Sequence, residues 1–321
     1  MRCDSLDNLS VFAAVVSRRS SPARWLLVCG GLLFAGIQTW AGGLSFDCVE
    51  LPPLRIKGQI ASAHTQGLEV LNDRFYVTAR REDVLPKQAL LLRVAAGGGD
   101  WDVWDITPKD AGNQLSALDH PGGFQSDGRC LWIPLAESKP KGRSIIRAFA
   151  LSGLVRGRPL QAEREIPVKD HIGAVAVSQN KGLLFGASWD TERVYVWNLA
   201  GQLQQTLETS DLAKRGLGLT RDPTSRKGLA VQDWKLVEDQ LFASGLRPTA
   251  GNAAPSRSQL LIFDQFLDPG FRQRSIILPK PRGIELAREG MAVSGGLVYF
   301  LPDDLGKSNR IFCGAGISAS K

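Results

Sequence analysis

The sequence predicts an all-β fold, a five-bladed β-propeller closed by its N-terminal strand, and three observations carry that prediction. Short motifs ending in glycine recur about every fifty-odd residues: His64-Thr65-Gln66-Gly67, His120-Pro121-Gly122-Gly123 and Asp170-His171-Ile172-Gly173. They hold all three histidines of the chain. Nine residues on from Gly67, Gly123 and Gly290 stand Tyr76, Trp132 and Tyr299, and five further on stand the polar Arg81, Glu137 and Asp304. Each motif also opens a series of short apolar or alternating segments separated by turn residues. Alternation of period two is the strand signature, and four short strands per unit make up a propeller blade.

In chain order, residues 1–41 read as an export signal. Arg18, Arg19 and Arg24 precede an apolar run over residues 25–37, and Thr39-Trp40-Ala41 offers the small residues of a cleavage site, expected after Ala41. That run is short of the roughly 20 residues a spanning helix needs, so no stable membrane span is expected once the signal is removed. The propeller is expected over residues 43–321, in the periplasm or outside the cell, as a monomer.

The first unit continues after Tyr76 with strands over residues 89–94 and 101–106, separated by the turn Gly97-Gly98-Gly99. The second continues over 144–150 and 161–166, and the third over 182–185, 193–197 and 202–207. The fourth, from Gln232, is the least regular: Phe242 lies nine past Asp233, so the aromatic spacing persists where the glycine does not. The fifth ends short of an outer strand, which residues 46–51 or the stretch through Ile56 could supply, closing the ring without a long unpaired edge. A six-bladed ring is the alternative and needs another partial blade within residues 212–229. Closure would also set Cys48 beside Cys313. Two readings follow, a disulfide across the closing blade or two separate thiols.

The chain has 39 basic and 32 acidic residues, and removing the four Arg and two Asp of residues 1–41 leaves 35 against 30. These charges are scattered rather than grouped in blocks, which argues against nucleic acid as a partner. A Gly-x-Ser-x-Gly elbow, a Cys-x-x-Cys pair and a phosphate loop are all absent from the sequence.

Residues just before the innermost strands of a propeller crowd one mouth of its axis. That places His64, His120 and His171 together, with Asp233 and Glu289 close by. Imidazole nitrogen and carboxylate oxygen suit a divalent metal ion, with the three histidines as candidate ligands. Glu289 or Asp233 would then be a further ligand or the base that activates a water. The same residues could instead cap turns and tie neighbouring blades together.

The stretches His64-Thr65-Gln66-Gly67-Leu68, His120-Pro121-Gly122-Gly123-Phe124, Asp170-His171-Ile172-Gly173 and Tyr299-Phe300-Leu301-Pro302-Asp303-Asp304 resemble a bacterial family of exported propeller-like proteins classed as a domain of unknown function. The resemblance implies fold and export, not activity. A fainter similarity runs to calcium-dependent six-bladed esterases and lactonases and to phytase-like esterases, through Glu289-Gly290-Met291-Ala292 and Leu301-Pro302-Asp303-Asp304. It implies an axial calcium on Glu289, from which three histidines at the mouth depart, because calcium prefers an all-oxygen cage. Two functions of different class follow. One is a binding protein that takes a small molecule or a protein partner at the axial mouth; the other is a metal-dependent hydrolase.

Overall fold

The protein, seen here as a computed structural model that describes residues 44–109, 117–218, 228–247 and 256–315, folds into five antiparallel sheets. The expected export signal lies outside these residues. Strand β1 (Phe46–Leu51) is followed by a small hairpin, β2 (Arg55–Ile56) with β3 (Gln59–Ile60). Blade 1 runs β4 (Ala63–Leu71), β5 (Arg74–Arg81), β6 (Gln88–Ala95) and β7 (Asp102–Asp105) from the axis outward. In blade 2 the inner position is split between β8 (His120–Pro121) and β9 (Gln125–Ser126), which both pair with β10 (Cys130–Ala136), followed by β11 (Ser144–Ala150) and β12 (Arg164–Val168). Blade 3 is β13 (Ile172–Ser178), β14 (Leu183–Ser188), β15 (Val194–Asn198) and β16 (Leu203–Leu207). A short helix α1 (Thr209–Lys214) leads on to blade 4, which is β17 (Ala230–Val237), β18 (Gln240–Arg247), β19 (Arg257–Asp264) and β20 (Arg272–Ile277). Blade 5 is β21 (Gly290–Ser294), β22 (Leu297–Leu301) and β23 (Asn309–Gly314), completed by β1.

The repeated nine-residue spacing has a local cause. In blades 1, 4 and 5 the first two strands are joined by two residues, Asn72-Asp73, Glu238-Asp239 and Gly295-Gly296, all with φ between 48° and 76°. Left-handed backbone at both positions is what the tight hairpin turn matching strand twist requires. Strand length and turn length are thereby fixed together, and the aromatic residue returns to the same place in each blade.

Five apolar clusters hold the ring, one between each successive pair of blades. Leu68, Val77 and Leu92 of blade 1 meet Leu301 and Ile311 of blade 5, while Tyr76 and Leu91 on the opposite face of blade 1 meet Leu131 and Ile133. Trp132 and Ile146 pack on Val175 and Trp197, Phe185 and Val196 on Trp234 and Leu261, and Phe242 and Ile262 on Phe300 and Phe312. Burial on both faces of every sheet explains why the inner strands read as apolar runs. No blade can be removed without exposing two such interfaces. Among the described residues nothing in 212–229 forms a further blade.

The N-terminal strand closes the ring as expected, with β1 antiparallel to β23 from Phe46 opposite Gly314 to Leu51 opposite Asn309. The disulfide reading is corrected by the register of that pairing. Asp47 lies opposite Cys313 and Cys48 opposite Phe312, so the two cysteines project from opposite faces of the sheet, and they are not joined. Cys48 packs with Phe46 and Phe312 against blade 4.

At the axis the inner strands press together in one layer. A Cβ on Gly67 would come within 2.9 Å of the Gly123 Cα, one on Gly123 within 2.9 Å of the Asp233 Cα, and one on Gly290 within 2.7 Å of the Gly67 carbonyl carbon. Blade 3 joins through Ala174, bridged to Gly123, which donates its N–H to Gly173 at 2.9 Å. Gly173 is itself a bulge residue, as are Gln66 and Gln232 at the matching points of β4 and β17. The residue equivalent to Gly67 in blade 3 is therefore Ala174 and not Gly173. Gly122→Ala should be severe, because its Cβ would sit 2.1 Å from the Gly173 carbonyl oxygen. A loss of about 3 kcal/mol in denaturant unfolding is expected, whereas Gly97→Ala, with nothing within 4 Å, should be neutral.

Candidate functional site

Counted from this axial layer, the three histidines occupy one equivalent position. His64, His120 and His171 each lie three residues before Gly67, Gly123 and Ala174 respectively, at the leading ends of the inner strands of blades 1, 2 and 3. Three residues of strand make the mouth roughly 10 Å deep. Its floor is closed, since the layer below is backbone against backbone. The axis is thus a blind cup and not a channel.

Asp233 fills the floor. It is fully buried, and its Oδ2 accepts N–H bonds from Leu68 and Met291, both at 3.0 Å. Its Oδ1 accepts from the Trp234 N–H at 2.9 Å and the Lys235 ammonium at 2.6 Å. Burial lifts its pKa to about 6, against the pull of Lys235 and the backbone donors. Every partner is a donor, which a carboxylate satisfies and a carboxylic acid does not, so at neutral pH Asp233 is ionised. One level deeper, Lys235 also donates to the Phe124 carbonyl at 2.6 Å. Gln125 there binds the backbone of Val177 and Leu236, and buried Glu69, pushed up to about 7 by desolvation, accepts from Ser126. These polar groups tie all five blades together across the axis and exclude solvent. Asp233, expected as ligand or base, is instead a structural tie with no oxygen turned to the cup.

Glu289 does reach the cup. It is half-buried directly before β21, and burial first, then repulsion from the Asp304 carboxylate, raises its pKa to about 8. His64 Nδ1 lies 2.7 Å from Asp304 Oδ1. The Asp304 side chain is positioned from blade 1 as well, by the Thr65 N–H at 3.3 Å, while the Thr65 hydroxyl donates to the Asp303 carbonyl at 3.1 Å. One ligand atom each from His64, Glu289 and Asp304 lie within 4.8 Å of one another, across the seam between blades 5 and 1. Among the described residues this is the group with the composition and closeness of a cation site.

The other two histidines form a different surface. The His120 and His171 rings are 5.7 Å apart, and Trp189 meets His171 edge-on at 4.6 Å. Desolvation, then the charge of Arg80 and the neighbouring imidazoles, drives the His120 pKa down to about 3. Burial also lowers that of His171, whose Nδ1 is engaged by the Glu137 carbonyl at 2.7 Å. His120 Nδ1 is buried with no hydrogen-bond partner. The expected three-histidine ligand set is thereby corrected: all three rings share one mouth, but His64 turns to two carboxylates while His120 and His171 make a neutral wall. Asp304 belongs to the site, although the sequence marks it only as the polar residue five past Tyr299.

A closed five-bladed propeller with a blind, imidazole-lined axial cup is the class that fold and site define. The chain belongs to a family of unknown function (DUF6454), whose model matches residues 51–311. That bears out the expected resemblance; the fainter likeness to esterases gains no support from it. No curated protein matches the chain. Solved structures similar to it include a GH43 endo-arabinanase from Bacillus licheniformis, with 9% identity, a TM-score of 0.49, and 81% of this chain and 95% of that one covered. The catalytic domain of a Coprinopsis cinerea GH62 α-L-arabinofuranosidase gives 9%, 0.48, 86% and 99%. The propeller domain of the trilobed protease from Pyrococcus furiosus gives 8%, 0.37, 81% and 86%. At these values none of them bears on substrate or mechanism. No helix among the described residues is long and apolar enough to cross a membrane.

Proposed function

We propose that this is an exported propeller that binds a small ligand in its axial cup, with a divalent cation held by His64, Glu289 and Asp304 and the ligand resting against His120, His171 and Trp189. The observation that carries the reading is the convergence of His64, Glu289 and Asp304 from two blades within 4.8 Å. Ligand distances of about 2.0–2.6 Å around a cation are compatible with donors so spaced, after small side-chain adjustments. One imidazole and two carboxylates leave further coordination positions open to a ligand. The orphaned Nδ1 of His120 supports the same reading, because a buried polar atom without a partner is costly unless something else satisfies it. Export rests on the charged and apolar pattern of residues 18–41.

Isothermal titration of chelator-stripped protein with Ca²⁺, Mn²⁺ and Zn²⁺ tests this. One site per chain is expected for at least one of them, weakened about tenfold or more, ~1.4 kcal/mol, by His64→Ala or Glu289→Gln. His171→Ala should leave it near the wild-type value, since that ring's Nδ1 is committed to a backbone carbonyl. Absence of any site in the wild type refutes the proposal.

A second reading, hydrolysis, is favoured by one further feature. The cation held by His64, Glu289 and Asp304 would keep coordination positions open in the cup, where a bound water could be activated for attack. A bound cation would supply Lewis acidity. Hydrolysis of p-nitrophenyl esters that needs added cation and is lost in Glu289→Gln would establish it; its absence leaves binding alone.

A further inference from the structure

Away from the mouth, a second concavity of about 650 Å3 opens where the β2–β3 hairpin stands off the outer part of blade 1. Its size is that of a small-molecule site. The inner wall is apolar: Leu90 and Trp101 are buried, Ile56 and Val103 half-buried, and all four belong to the cluster between blades 5 and 1. The Trp101 indole N–H is satisfied by the Pro52 carbonyl at 3.0 Å, so the ring is fixed as a wall and asks nothing polar of a ligand.

The rim is cationic, and its charges are unequally compensated. Arg81 is held by Asp83 at 2.7 Å, and Arg156 by Asp102 and Asp100 at 3.3 and 3.4 Å. Arg55 and Lys57, both exposed on the hairpin, have no carboxylate partner among the described residues; Arg55 donates only to the Gly58 carbonyl at 3.2 Å. The remaining acid on the lining, Asp105, is turned to cap the Thr107 N–H at 3.0 Å. An apolar wall facing two uncompensated cations is complementary to a molecule with an apolar body and one negative group.

The hairpin that carries these cations is a wall of low intrinsic stability. Its strands are two residues each, and such a pair is marginal without packing. It is fastened at its base, where the Leu54 N–H donates to Gly306 at 2.8 Å and the Ala61 N–H to Leu54 at 3.0 Å. The turn itself, Lys57-Gly58 with φ of 51° and 82°, is a tight hairpin turn, so Lys57 is presented at a fixed place at the tip.

We infer that this cleft between the β2–β3 hairpin and blade 1 is a second binding site, selective for small apolar anions such as aryl or branched-chain carboxylates and sulfonates, with Arg55 and Lys57 reading the charge. It is independent of the axial cup. The probe is 8-anilinonaphthalene-1-sulfonate, followed by its fluorescence on the full chain, beside the uncharged N-phenyl-1-naphthylamine. Saturable binding of one sulfonate per chain is expected, weakened about tenfold by Arg55→Glu combined with Lys57→Glu, with the neutral probe little changed. Val103→Trp, which fills the cleft, should abolish binding of both. Lys57→Asn removes one charge while suiting the left-handed backbone, and should weaken the sulfonate in part should the double variant melt early. Sulfonate binding indifferent to the charge changes, equal losses for the two probes, or binding that survives Val103→Trp each overturns the inference.

Discussion

Asp233→Ala is expected to lower the unfolding free energy by about 3–5 kcal/mol, measured in guanidinium, because it strands a buried cation. Lys235 is 1% exposed, and its ammonium has two partners, the Asp233 carboxylate and the Phe124 carbonyl, each at 2.6 Å. Removing the carboxylate also orphans the N–H groups of Leu68, Met291 and Trp234 in a layer too tightly packed for water. Asp233→Asn should cost nearly as much, since its amide would turn an N–H₂ towards donors on one side. Replacing both members, Asp233→Leu with Lys235→Met, should be less damaging than the single alanine change, because a buried ion pair exchanged for apolar volume loses no uncompensated charge. A loss below about 1 kcal/mol for Asp233→Ala would show that the axis is hydrated and the cup not blind.

Much of this ring is legible in the sequence, for a physical reason. Two-residue turns lock the spacing from Gly67 to Tyr76, from Asp233 to Phe242 and from Gly290 to Tyr299, so rotational equivalence leaves a countable trace. The histidines share the mouth for the same reason. What cannot be counted is direction. Asp233 replaces the glycine of its layer, and its polarity suggests chemistry; only the closeness of four other backbones shows that it fills the gap glycine leaves elsewhere. Asp304 enters the site because the β22–β23 loop of blade 5 folds over the start of β4, a contact between residues 240 positions apart with no local signature. Cys48 and Cys313 fail to meet by one residue of register, and a single step in a strand reverses the face.

Cation binding at the mouth should strengthen about tenfold or more between pH 6.5 and 8, and level off beyond. The cause is competition at Glu289. With its pKa near 8 the carboxyl keeps a proton through neutrality, and a cation must displace it. The same shift has an opposite effect on the cation-free protein. Between about pH 4.5 and 8 the folded state holds this proton while the unfolded chain has released it, so stability falls as pH rises through that window. Added cation binds only the folded state and restores stability by mass action, more at pH 8 than at pH 6.5. Thermal unfolding at the two pH values, with and without the cation, reads both effects. Glu289→Gln should lose the pH dependence together with most of the affinity, and should be more stable than the wild type at pH 8 without cation. A wild-type affinity that is flat across this range would mean that Glu289 does not ligate, leaving His64 and Asp304 as a hydrogen-bonded pair rather than two-thirds of a site.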